Sequence, residues 1–169
     1  GFLGPYLTGV EDPDDIVGGL YMEPSAEAWL GTDNFGQDVF TQLIYGTRTS
    51  LIIGVTAGAI ATLIGVVIGL SAGFYGGIVE EALMGVTNVV ITIPSIVVLI
   101  LLSIAIDSRS IYAIALIIGI TSWPWTARAV RAQASSVRTR EHVDLARLNG
   151  ANTFSLMFWE VLPYMLSYI

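Results

Sequence analysis

The sequence predicts an all-α membrane protein, a polytopic bundle of transmembrane helices. Hydrophobic residues make up 54% of the chain against 12% charged, and the mean hydropathy is +0.72, far outside the range of soluble domains. Residues 49–79, 82–106 and 110–127 contain no charged side chain. About 20 apolar residues at 1.5 Å each cross a hydrocarbon core of roughly 30 Å, so the first two runs span with residues to spare and the third just suffices. A β-barrel would need segments of about ten residues alternating in polarity, and these runs are apolar at both parities. The first run also begins too far into the chain, and runs too long, for a secretory signal.

Residues 1–48 are expected to form an extracytoplasmic loop and an interfacial helix. The opening stretch to about Leu30 is rich in glycine, proline and acids without sustained periodicity, which predicts an extended loop. From Gly36 onward Val39, Phe40, Leu43 and Ile44 recur at helical spacing, with Asp38 and Gln42 on the other face. This helix is expected to run straight into the first span.

The first span carries Gly54, Gly58, Ala61, Gly65, Gly69, Gly73 and Gly77 at close to every fourth residue, a small-residue stripe along one face. Such a stripe lets a second helix backbone approach closely, although glycine is also simply common in membrane helices. The second span contains Pro94 and the third Pro124, between Trp123 and Trp125. Each proline removes a backbone donor and crowds the preceding turn, so both helices are expected to bend or break there, as hinges or as tolerated structural features. The two tryptophans fall where an aromatic belt would lie at the inner interface.

After the third span comes a polar interval, about residues 128–163. Val143, Leu145, Ala146 and Leu148 give it helical patterning, and Asn149-Gly150 reads as a helix stop because both residues tolerate the left-handed conformation. Asn152 or Thr153 can cap a second short helix with Phe154, Met157, Phe158 and Val161 on one side before Pro163. Lysine is absent, and Arg128, Arg131, Arg138, Arg140 and Arg147 all lie here, which places the interval in the cytoplasm. Counting back puts residues 1–48 outside, the turn at 75–81 inside, and the turn at 107–109 outside.

The chemistry of catalysis is missing. There is no cysteine, the one histidine is His142, no lysine exists to complete a phosphate-binding loop, and the three apolar runs contain no Asp, Glu, Arg or His of a proton relay. Any energy source is therefore expected in a partner, and the chain is expected not to be an enzyme. The missing initiator methionine, with an apolar run starting after Pro163, reads as a fragment of a longer chain.

In this polar interval the sequence resembles the inner-membrane permease subunits of ATP-binding cassette importers, of the type I architecture. Their cytoplasmic signature is Glu-Ala-Ala, three residues, Gly, then nine or ten residues to a hydrophobic-x-Leu-Pro close. Asp144, Ala146, Gly150, Val161, Leu162 and Pro163 match it in register, with Asp144 in place of glutamate and Leu145 in place of alanine. Leu30 to Asp33, Gly36, Asp38-Val39, Leu43 to Leu51, Ala72 to Gly77 and Ile93-Pro94-Ser95 are similar to the dipeptide and oligopeptide branch, with Gln37 where that branch has arginine.

The resemblance implies a permease domain over residues 49–169, a further helix before residue 1 and about two after 169. It also implies a second permease subunit, cytoplasmic ATPases that hold ATP and magnesium, an extracytoplasmic solute-binding protein, and a prokaryotic cytoplasmic-membrane location. No cofactor or metal is expected on this chain itself. The coupling loop to the ATPases would comprise Asp144, Leu145, Ala146, Arg147, Gly150, Ala151, Phe158, Leu162 and Pro163. Gly150 would permit the tight turn and Ala146 close approach, while Arg147 would pair with an acidic groove or remain a solvated arginine. Phe158 and Trp159 would seat in the ATPase or begin the next span. The cargo is expected to be a peptide or a related solute such as nickel or a sugar. The alternative is a secondary carrier or channel without an ATPase.

Overall fold

A computed structural model describes residues 12–106 and 110–165. These form α1 (Val39–Tyr75), α2 (Gly77–Thr92), α3 (Ser95–Ile106), α4 (Ile111–Val137), α5 (Glu141–Leu148), α6 (Thr153–Ser155), a π-helical turn (Leu156–Val161) and α7 (Leu162–Met165). The chain divides into two compact units, Gly1–Val55 and Thr56–Ile169.

In the first unit, residues 12–38 fold back on themselves instead of extending. The Val17 N–H donates to Gly36 O at 2.9 Å, Tyr21 to Asp33 O at 3.0 Å, and Thr32 to Met22 O at 3.2 Å. Gly31 and Gly36, at φ 76° and 78°, make the reversals that side chains resist. Asp38 then starts α1 as its cap: its carboxylate accepts from the backbone of Phe40 and Thr41 and from the Thr41 hydroxyl at 2.6 Å. Asp12, Asp33 and Asp38 therefore act locally as turn and cap acceptors, which periodicity alone does not reveal.

Asp33 is the busiest of them. Its carboxylate accepts from the N–H groups of Phe35 and Gln37 at 2.8 and 3.0 Å and from the Gln42 amide at 2.9 Å. The Gln42 bond is the main reason the carboxyl lies below its ordinary value of 3.8; lost hydration opposes it, and the backbone donors reinforce it. A depressed folded-state pKa contributes stability above the ordinary value and loses it as pH falls through the folded one. Protection of the Phe35 and Gln37 amides from hydrogen exchange should thus hold from neutral pH down to 3.8 and fall below it. Asp33→Asn should remove the step; a step in the native chain above about pH 5 would contradict this assignment.

The helix expected before Ser50 does run into the first span, giving one element of 37 residues. At 1.5 Å per residue that is about 55 Å, well beyond a hydrocarbon core, so one end projects from it. The helix stops at Tyr75, short of the expected end of the apolar run, because Gly76 and Gly77 take φ 69° and 53° and turn the chain into α2.

The second apolar run is not one straight span. Ile93 is extended at φ −87°, ψ 120°, as a residue before proline prefers, and α2 and α3 meet at Pro94 with a bend of 76°. Pro94 then begins α3 by accepting from the Val97 and Val98 N–H groups through its carbonyl. Pro124 behaves differently: α4 continues through it, and the ring is buried. The expected break at Pro124 is not found because α4 is packed on both sides of it, at Gly119 and at Thr126, against α1. Trp123 is likewise buried while Trp125 is exposed, so only Trp125 is placed for an interfacial belt.

The α1–α4 contact explains part of the glycine stripe. A Cβ on Gly65 would lie 2.6 Å from the Thr126 Cβ, one on Gly69 would lie 2.8 Å from the Val130 Cβ, and one on Gly73 would lie 2.6 Å from the Ala134 Cβ. Gly119 of α4 answers with the same closeness to Ile60. Residue numbers rise together along this seam, so the helices run parallel. Gly54 and Gly58 do not belong to it, for nothing lies within 4 Å of a Cβ built there.

Candidate functional site

At one end of the α1–α4 pair sits a buried apolar cluster of Leu70, Val130, Ala134, Val137, Val143, Leu156, Met157, Val161 and Met165. It draws on α1, α4, α5, the π-helical turn and α7, so the segment 141–165 is fastened to the ends of two long helices. Val143 supplies the inward face of α5, with Ala146 packed beside it, while Asp144, Leu145, Arg147 and Leu148 are exposed.

The turn after α5 follows from Asn149-Gly150. The Ala151 N–H reaches back to Ala146 O at 3.1 Å and the Gly150 N–H to Arg147 O at 3.1 Å, the paired closure that a left-handed residue permits. Gly150 is that residue, at φ 84°. Ala146 and Ala151 both pack against the buried cluster, the apolar contact that usually accompanies this closure. Asn152 caps the next helix by accepting from the Ser155 N–H at 2.7 Å, an arrangement that contributes about 1 kcal/mol.

Past the cap, the side chains expected on one face separate. Met157 and Val161 join the core; Phe154 and Phe158 lie outside it and stack on each other with ring centroids 4.4 Å apart. The reason is the wider turn at Leu156–Val161, which rotates successive side chains away from ordinary helical spacing. This turn immediately precedes Pro163, which lacks a donor, so α7 continues through the proline to Met165 instead of closing before it. Leu162 packs against the cluster and Pro163 is exposed. His142 ties the two short helices together: its Nε2 lies 3.2 Å from Glu160 O and its ring 4.3 Å from that of Tyr164.

The outward surface is therefore a knob with a helix, a glycine turn and a second helix, presenting Leu145, Leu148, Phe154, Phe158 and Trp159 to the exterior. Arg147 stands at its edge, and its guanidinium pairs within α5 with Asp144 at 3.0 Å. Both groups are more than half exposed, so the pair orders the side chains more than it stabilises the fold.

Three arginines on one face of α4 and its C-terminal cap reach other helices, a feature the polar interval did not announce. Arg128 donates to Asn88 at 2.6 Å and Arg131 pairs with Glu80, both on α2, while Arg138 donates to Phe74 O at the end of α1 at 3.0 Å. The helices are thus less free of charge than the apolar runs suggested: α4 extends ten residues beyond Ala127, and α2 begins before Glu80 and Glu81. A cleft of about 750 Å³ opens between α2 and α4, lined by Glu80, Glu81, Met84, Asn88, Arg128 and Arg131. The spacing of residues 128, 131 and 138, which share one helical face, is the signal that identifies this set.

The profile of the binding-protein-dependent transport system inner membrane components matches residues 65–169. The dipeptide transport system permease protein DppC of Bacillus subtilis (strain 168) is 36% identical over 165 residues, covering 95% of this chain and 50% of its own length. The oligopeptide transport system permease protein OppC of the same organism is 35% identical over 140 residues, covering 83% and 46%. The probable D,D-dipeptide transport system permease protein DdpC of Escherichia coli (strain K12) is 33% identical over 161 residues, covering 95% and 53%. The chain spans about half the length of the curated relatives it matches. With a helical membrane architecture and a family profile that covers most of its length, the chain belongs to the binding-protein-dependent transport system inner membrane components.

Proposed function

We propose that this chain is part of a permease subunit of an ATP-binding cassette importer that moves dipeptides or oligopeptides across the inner membrane. It works without catalysis of its own, and ATP with magnesium is held by separate cytoplasmic ATPases. A second permease subunit completes the pathway, and an extracytoplasmic binding protein delivers the solute. The observation that carries this reading is the knob at residues 141–163, turned outward yet anchored through Val143, Met157 and Val161 to the ends of α1 and α4. A partner that grips Leu145, Leu148 and Phe158 would move those helix ends with it.

The arginine distribution supports a cytoplasmic position for the knob, with residues 12–38 outside. The parallel α1–α4 seam means that the two spans end on the same side, where α1 ends beside the start of the knob. The relatives named for dipeptide and oligopeptide transport support the cargo class.

The test is ATP hydrolysis by the intact transporter in liposomes, with and without dipeptide-loaded binding protein. Hydrolysis stimulated by the loaded binding protein and accompanied by dipeptide uptake is the expected result. Uptake with no associated ATPase activity would replace this reading with that of a secondary carrier.

A further inference from the structure

Arg138 has a setting that Arg128 and Arg131 of α4 lack, and it stands where α4 gives way to the knob. We propose that Arg138 is a positioning residue that transmits displacement of the knob at residues 141–163 into α1, an inference that rests on the coupling role proposed for that knob.

Arg138 is the first residue beyond α4, and its Nη1 donates to Phe74 O at 3.0 Å. Phe74 is next to last in α1, so its carbonyl is among the four that a helix end leaves without an intrahelical donor. That end carries the partial negative charge of the helix dipole, and a guanidinium there makes a charge-assisted, directional bond. Gly76 builds the seat. A Cβ on it would lie 2.5 Å from Arg138 Nη1, 3.2 Å from Nη2 and 3.3 Å from Cζ, and its backbone is left-handed at φ 69°. The absence of a side chain at Gly76 is what admits the guanidinium.

On its other side Arg138 is two residues from Arg140, where the chain turns into α5, and the Arg140 N–H is bonded to Val137 O at 3.0 Å. Val137 and Val143 flank this corner and are buried in one cluster with Leu70 of α1. The corner is thus held to α1 by packing and by the directional bond from Arg138 to Phe74 O. The glycine seam holds α1 and α4 side by side by close packing of Thr126, Val130 and Ala134 on Gly65, Gly69 and Gly73, whereas the Arg138 to Phe74 bond adds a charge-assisted link from the last turn of α1 to the corner that leads into the knob.

The experiment measures dipeptide uptake per ATP hydrolysed by the intact transporter, reconstituted with its ATPases and loaded binding protein. Arg138→Ala is expected to keep at least about half of the stimulated hydrolysis while uptake per ATP falls at least about fivefold, the lower end of ordinary coupling energies. Gly76→Ala, which displaces the guanidinium and also strains the φ 69° turn into α2, should lose at least as much, and the double variant should lose less than the two single losses combined, as expected of lesions that share one interaction. Arg138→Lys should recover much of the ratio, since an ammonium can donate to the same carbonyl. A role confined to stability would lower the amount of assembled transporter and both rates together, leaving uptake per ATP unchanged. An unchanged ratio in Arg138→Ala overturns the proposal; should that variant not assemble, an unchanged ratio in Gly76→Ala does so. Gly150→Arg serves as the control. Normal uptake there would refute the coupling role of the knob itself, whereas lost uptake there with an unchanged ratio in the Arg138 or Gly76 variant would refute only the transmission through Arg138.

Discussion

Gly150→Arg is expected to abolish dipeptide uptake and the stimulation of ATP hydrolysis while leaving the protein in the membrane at wild-type abundance. Two effects act at this position. The backbone stands at φ 84°, where a residue with a Cβ is disfavoured by about 1–2 kcal/mol, enough to shift the turn after α5 roughly tenfold toward other conformations. The space around a Cβ there is open, with nothing within 4 Å, so a long cationic side chain projects from the knob and obstructs a partner seated on it. The buried cluster beneath the knob is not touched, which is why abundance should hold. Gly150→Asn separates the two effects, because asparagine tolerates the left-handed conformation. Its uptake should lie between those of the wild type and the arginine variant. Wild-type uptake in Gly150→Arg would end the coupling reading of this loop.

Gly73→Leu is expected to be the most damaging change to the fold. A Cβ at residue 73 would lie 2.6 Å from the Ala134 Cβ, 2.5 Å from Arg131 O and 3.0 Å from Ser135 N, so backbone as well as side chain stands in the way. Overpacking a core costs about 1–3 kcal/mol where side chains can yield, and here the helix itself must move. Loss of thermal stability in detergent and a drop in the amount recovered from membranes should follow. The same seam offers a compensation. Gly65→Ala should destabilise chiefly through the Thr126 Cβ and Cγ2, at 2.6 and 2.8 Å, and Thr126→Gly in the same chain should return much of the loss. A Gly73→Leu variant as stable as the wild type would mean that α1 and α4 do not pack through this face.

The elements whose form depends on local chemistry could be read directly from the residues. Asn149-Gly150 ends α5, Asn152 caps α6, and the periodicity from Val39 continues into the first span. Features that depend on a neighbour could not be read this way. The glycine stripe implied close packing, yet only Gly65, Gly69 and Gly73 meet α4, because spacing within one helix does not say how far its partner extends. Pro94 and Pro124 carry the same local signal and have opposite outcomes. Pro94 follows an extended Ile93 and parts two helices, whereas Pro124 lies where contacts on both sides hold α4 together. Phe154 and Phe158 were placed with Met157 and Val161 by a 3.6-residue period that the π-helical turn does not keep. Arg138 looked like one cation among five in a polar interval. Its partner, the carbonyl of Phe74, is a backbone group, and no side-chain pattern could have indicated it.

The elbow at Pro94 also constrains what surrounds it. A helix end leaves four carbonyls without partners of their own, and at the end of α2 the Thr92 hydroxyl donates to Val89 O and the Ile93 N–H to Val90 O. Hydrocarbon supplies no donor for the carbonyls that remain, and each left bare in lipid would cost several kcal/mol. Lipid tails therefore cannot coat the chain at this point. The elbow has to face other protein or water, which makes residues 91–94 a place to look for solvent reaching into the interior of the membrane.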